Sequence, residues 1–293
     1  MLCRQSKDVF FLFLSKKFIG RAVLCVFFLL LIGCLLLSRL GQNGVPVLNY
    51  HQINDRDHNA LTVSSSQFAA QMDYLNKEGY HTITPAELAD ALENGAVLPE
   101  KPVVITFDDG YLDNYQNAYP VLKQYNQKAT IFVISDYVST YPNYLTWEQI
   151  KEMQESGLID FESHTLSHVD LTKAGSSEEI MHQLKDARTA LEWRLQKPIR
   201  FIAYPCGAYT DEVQTLTKEA GYRGAFTVHY GLDSQGEAMY ALDRVPIFGG
   251  NSHTMLRFKL RLRFAPVVAA LSQFKSNLTK DGHPGLARFI PLP

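Results

Sequence analysis

The chain has 293 residues, 46% of them apolar, and a formal net charge of −2. That length can bury one enzyme-sized core with an appendage. The near-neutral balance excludes both a global basic field for nucleic acid and a disorder-prone acidic composition.

The charge is uneven at the start, where Arg4, Lys7, Lys16, Lys17 and Arg21 face only Asp8. No charged residue follows from Ala22 to Ser38. As a helix this run is roughly 25 Å long at about 1.5 Å per residue, near the lower limit of a bilayer span. Phe18, Ile19 and Leu40 extend it if Arg21 and Arg39 snorkel. Basic residues ahead of a span hold the amino terminus in the cytoplasm. The expected arrangement is a cytoplasmic segment at 1–21, a single-pass transmembrane signal-anchor at 22–40, a linker at 41–44 and an extracellular domain. Leu31-Ile32-Gly33-Cys34 offers an alternative, a lipoprotein anchored at Cys34. Cys3, Cys25 and Cys34 lie in or before this region, which leaves Cys206 alone beyond it. A disulfide within the domain and a four-cysteine zinc site are both excluded.

From Val45 onward, short apolar runs alternate with helical patterns. Val45 to Tyr50 reads as a strand, and Phe68, Met72 and Leu75 mark one face of a helix stopped by Gly79. Thr84-Pro85-Ala86-Glu87 combines an N-cap, a first-turn proline and a capping-box glutamate. Val103 to Phe107 and Thr130 to Ile134 are rich in β-branched residues, as in strands buried on both faces. Thr146-Trp147-Glu148-Gln149 opens another helix, and Ile159 to Phe161 is extended. Ser176 and Glu179 start a long helix to about Leu195; Phe201 to Ala203 is a strand, Asp211 to Ala220 a helix, and Ala225 to Val228 a strand. Such alternation requires crossover connections and a mainly parallel sheet. The polar, chemistry-rich segments each follow a strand, at the end where barrel active sites gather. The expectation is a distorted (β/α) barrel of about seven strands over 45–256. In the extension at 257–293, Arg257, Lys259, Arg261 and Arg263 alternate with Phe258, Leu260, Leu262 and Phe264. That period of two predicts a ribbon with one basic face, suited to anionic lipid or wall polymer or to an ordinary sheet edge.

Two motifs carry the chemistry. Thr106-Phe107-Asp108-Asp109-Gly110 ends a strand in adjacent aspartates, whose mutual repulsion and burial demand a cation or donors. His164-Thr165-Leu166-Ser167-His168 presents two imidazoles with metal-ligand spacing. His164, His168 and Asp109 would hold a divalent metal with an open position, the arrangement of catalytic zinc. Asp108 diverges from Asp109 and is left for proton transfer.

These two segments resemble the first and second motifs of the polysaccharide deacetylases of carbohydrate esterase family 4, the NodB homology domain. The resemblance implies a general base at Asp108, metal ligands at Asp109, His164 and His168, and removal of acetyl groups from N-acetylglucosamine units. Zinc is the first choice of metal; cobalt, nickel and iron suit the same donors. Ala203-Tyr204-Pro205-Cys206-Gly207 lacks the arginine of the commoner third motif. It is similar to the branch that deacetylates poly-β-1,6-N-acetyl-D-glucosamine, a biofilm exopolysaccharide. The family places Tyr204, Pro205 and the backbone N–H of Cys206 by the acetyl oxygen, while the Cys206 side chain is expected to be small, buried and apolar. Leu48-Asn49-Tyr50-His51 looks like that branch's Tyr-His motif, moved to the front of the chain by circular permutation, which makes His51 the general acid. Neighbouring first and last strands in a closed barrel allow this. Arg200 and Arg244 both stand as candidates to orient Asp108, and Tyr111, Asp113 and Tyr209 are placed to touch sugar. The implied partners are a β-linked N-acetylglucosamine polymer and, through the anchor, the membrane. Peptidoglycan deacetylation and a non-catalytic polysaccharide-binding module are the alternative functions.

Overall fold

Along each central strand, odd and even side chains enter two different apolar environments, and that alternation builds the molecule. The computed structural model describes residues 28, 32–33, 44–236, 238–250, 254–280 and 284–287. Its strands are β1 (Val47–Tyr50), β2 (Gln52–Ile53), β3 (Thr62–Val63), β4 (His81–Thr82), β5 (Pro102–Phe107), β6 (Ala129–Val133), β7 (Ile159–Ser163), β8 (Phe201–Ala203), β9 (Gly224–Tyr230) and β10 (Leu242–Pro246). Seven of them, β1-β10-β9-β8-β7-β6-β5, pair in parallel, and β5 returns to β1 to close the ring. The closing strand aligns Leu48 with Val245 on one side, and on the other Val47 with Val104 through to Tyr50 with Phe107. The expected barrel is present, with the first strand beside the last. β4 extends β5 at its start, and β2 pairs with β3 as a separate ribbon.

Val47, Val104, Phe132, Phe201, Ala203, Phe226 and Leu242 form one buried cluster. Their strand neighbours Leu48, Ile105, Ile131, Ile202, Ala225 and Val245 belong to a second, larger one shared with the helices, including Phe68, Met72 and Leu75. The first cluster fills the barrel and the second surrounds it, as the two-residue period of a strand buried on both faces requires. Followed upward, the inner period changes character: Val47 leads to Asn49, Val104 to Thr106 and Asp108, and Leu242 to Arg244. Apolar filling gives way to polar groups at the carboxyl ends, so the alternation that makes the core also delivers the site.

Capping sets the helix starts. Thr84 and Glu87 form the capping box of helix Pro85–Asn94, and Thr146 with Gln149 does the same for Trp147–Glu155. The helix predicted from Ser176 to about Leu195 is two α segments, Ser177–Met181 and Ala187–Leu195, joined through a π turn at His182–Asp186.

Two expectations need correction. β10 has no counterpart among the predicted strands, because Leu-Asp-Arg-Val-Pro carries two charges and a proline and so lacks the apolar run of the others. The basic run at 257–264 is no ribbon: Met255–Arg263 is an α-helix. Phe258 and Leu262 are buried at helical spacing, and the run is rich in Leu, Met, Arg and Lys, all good helix formers without β-branching. Arg261 is buried too, its guanidinium donating to the Pro246 carbonyl, so the expected row of four exposed basic groups is broken. Residues 43–293 form one compact unit. Among the described residues no helix is long and apolar enough to cross a membrane. The predicted signal-anchor at 22–40 and the Cys34 alternative lie outside the described residues, save 28 and 32–33.

Candidate metal centre and its cleft

The loops after β5 and β7 bring Asp109, His164 and His168 together, with one donor atom from each lying within 4.8 Å of the others. Nε2 of His164 and Nε2 of His168 are each 3.4 Å from Oδ1 of Asp109. Donors about 2.0–2.1 Å from a tetrahedral cation stand about 3.4 Å apart, so the spacing fits such an ion. Nδ1 of His164 lies 2.8 Å from the Ala203 carbonyl. That acceptor fixes the proton on Nδ1 and leaves Nε2 as a ligand, the outer-sphere support typical of metal-binding histidine. Burial raises the pKa of Asp109, but the neighbouring His164 outweighs it and the net direction is downward. For His164, burial works against the proton while Asp108 and Asp109 prevail and raise its pKa; for His168, burial wins and lowers it.

Backbone strain concentrates here. Asp109 (φ 72°), Thr165 (φ 67°), His168 (φ 60°) and Cys206 (φ 57°) all adopt the left-handed region without being glycine. Such conformations persist only where the surroundings enforce them, and they are common at sites that must aim side chains. Gly207 must be glycine on two counts, since φ is +66° and a Cβ would lie 2.4 Å from Val228 Cγ2.

Asp108 is held from β1 and β10, the two strands that continue the ring beyond β5. Arg244 on β10, fully buried, donates NH1 to Oδ1 and NH2 to Oδ2, both at 2.7 Å. Asn49 on β1 adds Nδ2 to Oδ2 at 2.9 Å. The guanidinium is itself fixed by Nε donating to the Thr227 carbonyl at 2.6 Å. Burial pushes the Asp108 pKa up, yet the charges of Arg244, His164 and His51 overcome it and hold the carboxyl well below its usual range. Of the two candidate arginines, Arg244 orients Asp108. Arg200 is exposed, and its backbone N–H donates to Glu162. His51, at the end of β1, places Nε2 3.9 Å from Asp108 Oδ2.

Comparison with known proteins identifies the arrangement. A family profile described as polysaccharide deacetylase matches residues 95–225. The Bacillus subtilis (strain 168) protein named "Putative polysaccharide deacetylase YxkH" is 39% identical over 208 residues, covering 71% of this chain and 73% of that protein. The chain belongs to the polysaccharide deacetylase family. It is accordingly an amide-hydrolysing polysaccharide deacetylase. The poly-β-1,6-N-acetyl-D-glucosamine N-deacetylase of Staphylococcus aureus (strain MRSA252) is 28% identical over 231 residues, covering 70% of this chain and 79% of that one. Among solved structures, the Streptococcus pyogenes deacetylase PplD in complex with acetate superposes with a TM-score of 0.67 at 32% identity, over 70% of this chain and 92% of PplD. IcaB from Ammonifex degensii gives 0.68 at 29% identity, over 77% and 98%.

The deacetylase's cleft, about 280 Å³, is lined by Asn49, His51, Asp108, Asp109, His164 and His168 together with Tyr204 and Cys206, and is walled on its apolar side by Leu61, Val228, Pro246 and Phe248. A larger cavity of about 510 Å³ lies around Asn54, Asp57 and Thr62. It holds none of the paired imidazoles, so size alone does not locate the chemistry. Gly249 joins this region to the cleft wall: its N–H donates to the Ala60 carbonyl at 2.8 Å, and a Cβ there would overlap the Thr62 carbonyl at 1.4 Å.

The remaining sequence-derived residues fall in different places. Tyr204 is buried, with its hydroxyl donating to the Tyr240 carbonyl at 3.1 Å, and Tyr209 stacks on it at 5.6 Å. Pro205 starts the tight turn that presents Cys206. The Cys206 side chain is exposed rather than buried; the left-handed backbone turns it out of the core into the cleft. Asp113 does not line the cleft. It is buried and accepts from Asn54 at 2.7 Å and Asn114 at 3.1 Å, tying the loop after β2 to that after β5. Asn49, Leu61, Val228 and Phe248 escaped the sequence reading. For Asn49 a signal existed, since it shares the inward face of β1 with Val47; the three apolar residues look like any other core.

Proposed function

We propose that this deacetylase removes acetyl groups from poly-β-1,6-N-acetyl-D-glucosamine at the cell surface, by metal-dependent hydrolysis. The reading is carried by one observation: His51, just after the first strand of the barrel, enters the same cleft as the Arg244-bound Asp108. The similarity to the staphylococcal enzyme named for that polymer, and to IcaB, supports the same choice. A divalent cation held by Asp109, His164 and His168 would polarise an amide carbonyl and lower the pKa of a nearby water. Asp108, ionised throughout the physiological range, is placed to take a proton from the attacking water. Asn49 and Arg244 fix both its oxygens, so the carboxylate cannot turn away. His51, whose pKa burial lowers against the pull of Asp108 and Asp109, is placed to hand a proton to the departing amine. The apolar wall of Leu61, Val228 and Phe248 suits an acetyl methyl. Tyr204, Pro205 and Cys206 border the same space, and the backbone N–H of Cys206 is the proposed oxyanion donor. Surface location rests on the apolar run at 22–40, with the catalytic domain outside and the chain held by the anchor.

Purified protein, loaded with zinc, is incubated with the exopolysaccharide and separately with peptidoglycan, and freed acetate is measured. Release from the exopolysaccharide, lost on metal removal and regained on adding zinc, is the expected result. Release from peptidoglycan alone would replace the substrate. Release that survives complete demetallation would end the metal reading.

A further inference from the structure

The loop between β6 and helix Trp147–Glu155 carries Tyr137, Tyr141 and Tyr144, and it lies against Tyr111 from the loop that holds Asp109. Tyr111 and Tyr144 stack with ring centres 5.1 Å apart and planes 25° from parallel. Tyr137 meets Tyr141 and Tyr144 edge-on, at 4.9 Å in each case. None of the four rings is part of either apolar core. They gather on one another, and Tyr141 remains 51% exposed.

The backbone beneath them is tied on both sides. Leu145 N–H donates to the Gly110 carbonyl at 3.0 Å and Leu112 N–H to that of Asn143 at 2.9 Å. At the other end, the N–H groups of Ser135 and Asp136 donate to the carbonyls of Thr165 and Leu166 at 3.2 and 3.0 Å. The tyrosine loop is therefore anchored to both of the loops that supply metal ligands. A loop whose only task was to connect two elements would not need an exposed aromatic cluster fixed in that position.

We propose that this platform is a subsite for the sugar units adjoining the one being deacetylated. The inference rests on the reading of the cleft as a site for a sugar polymer. A cleft of about 280 Å³ is at the small end for even a drug-sized ligand, so neighbouring units of a chain must lie on its rim. A pyranose ring offers an apolar C–H face bordered by hydroxyls, and a tyrosine ring offers an apolar face with a polar tip. Rigid aromatic rings also supply contact area at low entropic cost. Tyr141 is the residue with the most free face, and Tyr111 and Tyr144 extend the surface toward Asp109.

The test is Tyr141→Ala and Tyr141→Phe in the full chain, with Val97→Ala, at a residue 98% exposed and outside the site, as the control. The substrate is whichever N-acetylglucosamine polymer releases acetate with the unaltered enzyme, compared with its disaccharide. Tyr141→Ala should raise KM for the polymer roughly three- to tenfold with little change in kcat, and should raise it less for the disaccharide. Tyr141→Phe should restore most of the affinity, because the ring and not the hydroxyl makes the stack. Retardation of each variant in a gel containing the polymer reads binding without turnover, so the platform is tested even if the exopolysaccharide proves not to be the substrate. Equal KM and equal retardation for Tyr141→Ala and the unaltered protein would overturn the proposal.

Discussion

The two halves of the site are built in opposite ways. The candidate metal half, Asp109, His164 and His168, comes from two short motifs on the loops after β5 and β7, and each motif can be read without knowing the fold. The half proposed for proton transfer joins Asp108 to Asn49 on β1, His51 just after it and Arg244 on β10, at the two ends of the barrel sequence. Only closure of the ring brings them together. The first half depends on local spacing and the second on long-range topology, so substitutions should separate them.

The largest effect is expected from the metal half. His164→Ala or Asp109→Ala should abolish acetate release and bound metal together, read by metal analysis of the purified protein. Asp108→Asn and His51→Ala should lower kcat about 10²–10⁴-fold while metal content stays at the level of the unaltered protein. Loss of metal in the His51 variant would erase the distinction between the halves. Arg244→Met should act on both rate and stability. It leaves a buried carboxylate without its partner, a change that typically destabilises by about 3–5 kcal/mol. Adding Asp108→Asn to it should recover part of that loss, and a thermal or denaturant melt of the double variant checks the coupling.

The smallest effect lies outside the site and calibrates the rest. Thr84→Ala removes the cap of helix Pro85–Asn94 and should cost about 1 kcal/mol without altering kcat. Burial alone would raise the pKa of Glu87, but the Thr84 N–H and Lys128 overcome it and lower the value. A carboxyl whose folded pKa is depressed adds stability above its unfolded pKa, and that stability is lost as pH falls through the folded value. The difference between Glu87→Gln and the unaltered protein should thus persist at neutral pH and shrink below about pH 4, measured by melting at each pH.

The same division explains what could be read from residues alone. Six of the seven parallel barrel strands and the capping of Thr84 and Thr146 are legible because burial on both faces and helix starts leave local patterns. Asp109, His164 and His168 are legible because ligand spacing is local as well. Arg244 could not be told from Arg200, since what distinguishes them is register: Arg244 continues the inward face of β10 and Arg200 does not. β10 itself escaped because its inward residues are the ones that serve Asp108, so its charge concealed it as a strand. The run at 257–264 failed for a different reason, as alternating Arg/Lys and Leu/Phe fits both periods until Phe258 and Leu262 find a surface to pack on.

Closure between the first and last barrel strands also orders events in time. A ribosome delivers residues 109, 164 and 168 well before residue 244, so a growing polypeptide acquires its full set of ion-binding side chains while Asp108 still lacks its guanidinium. Asp108 is held at both oxygens only when the final barrel strand seats beside the first.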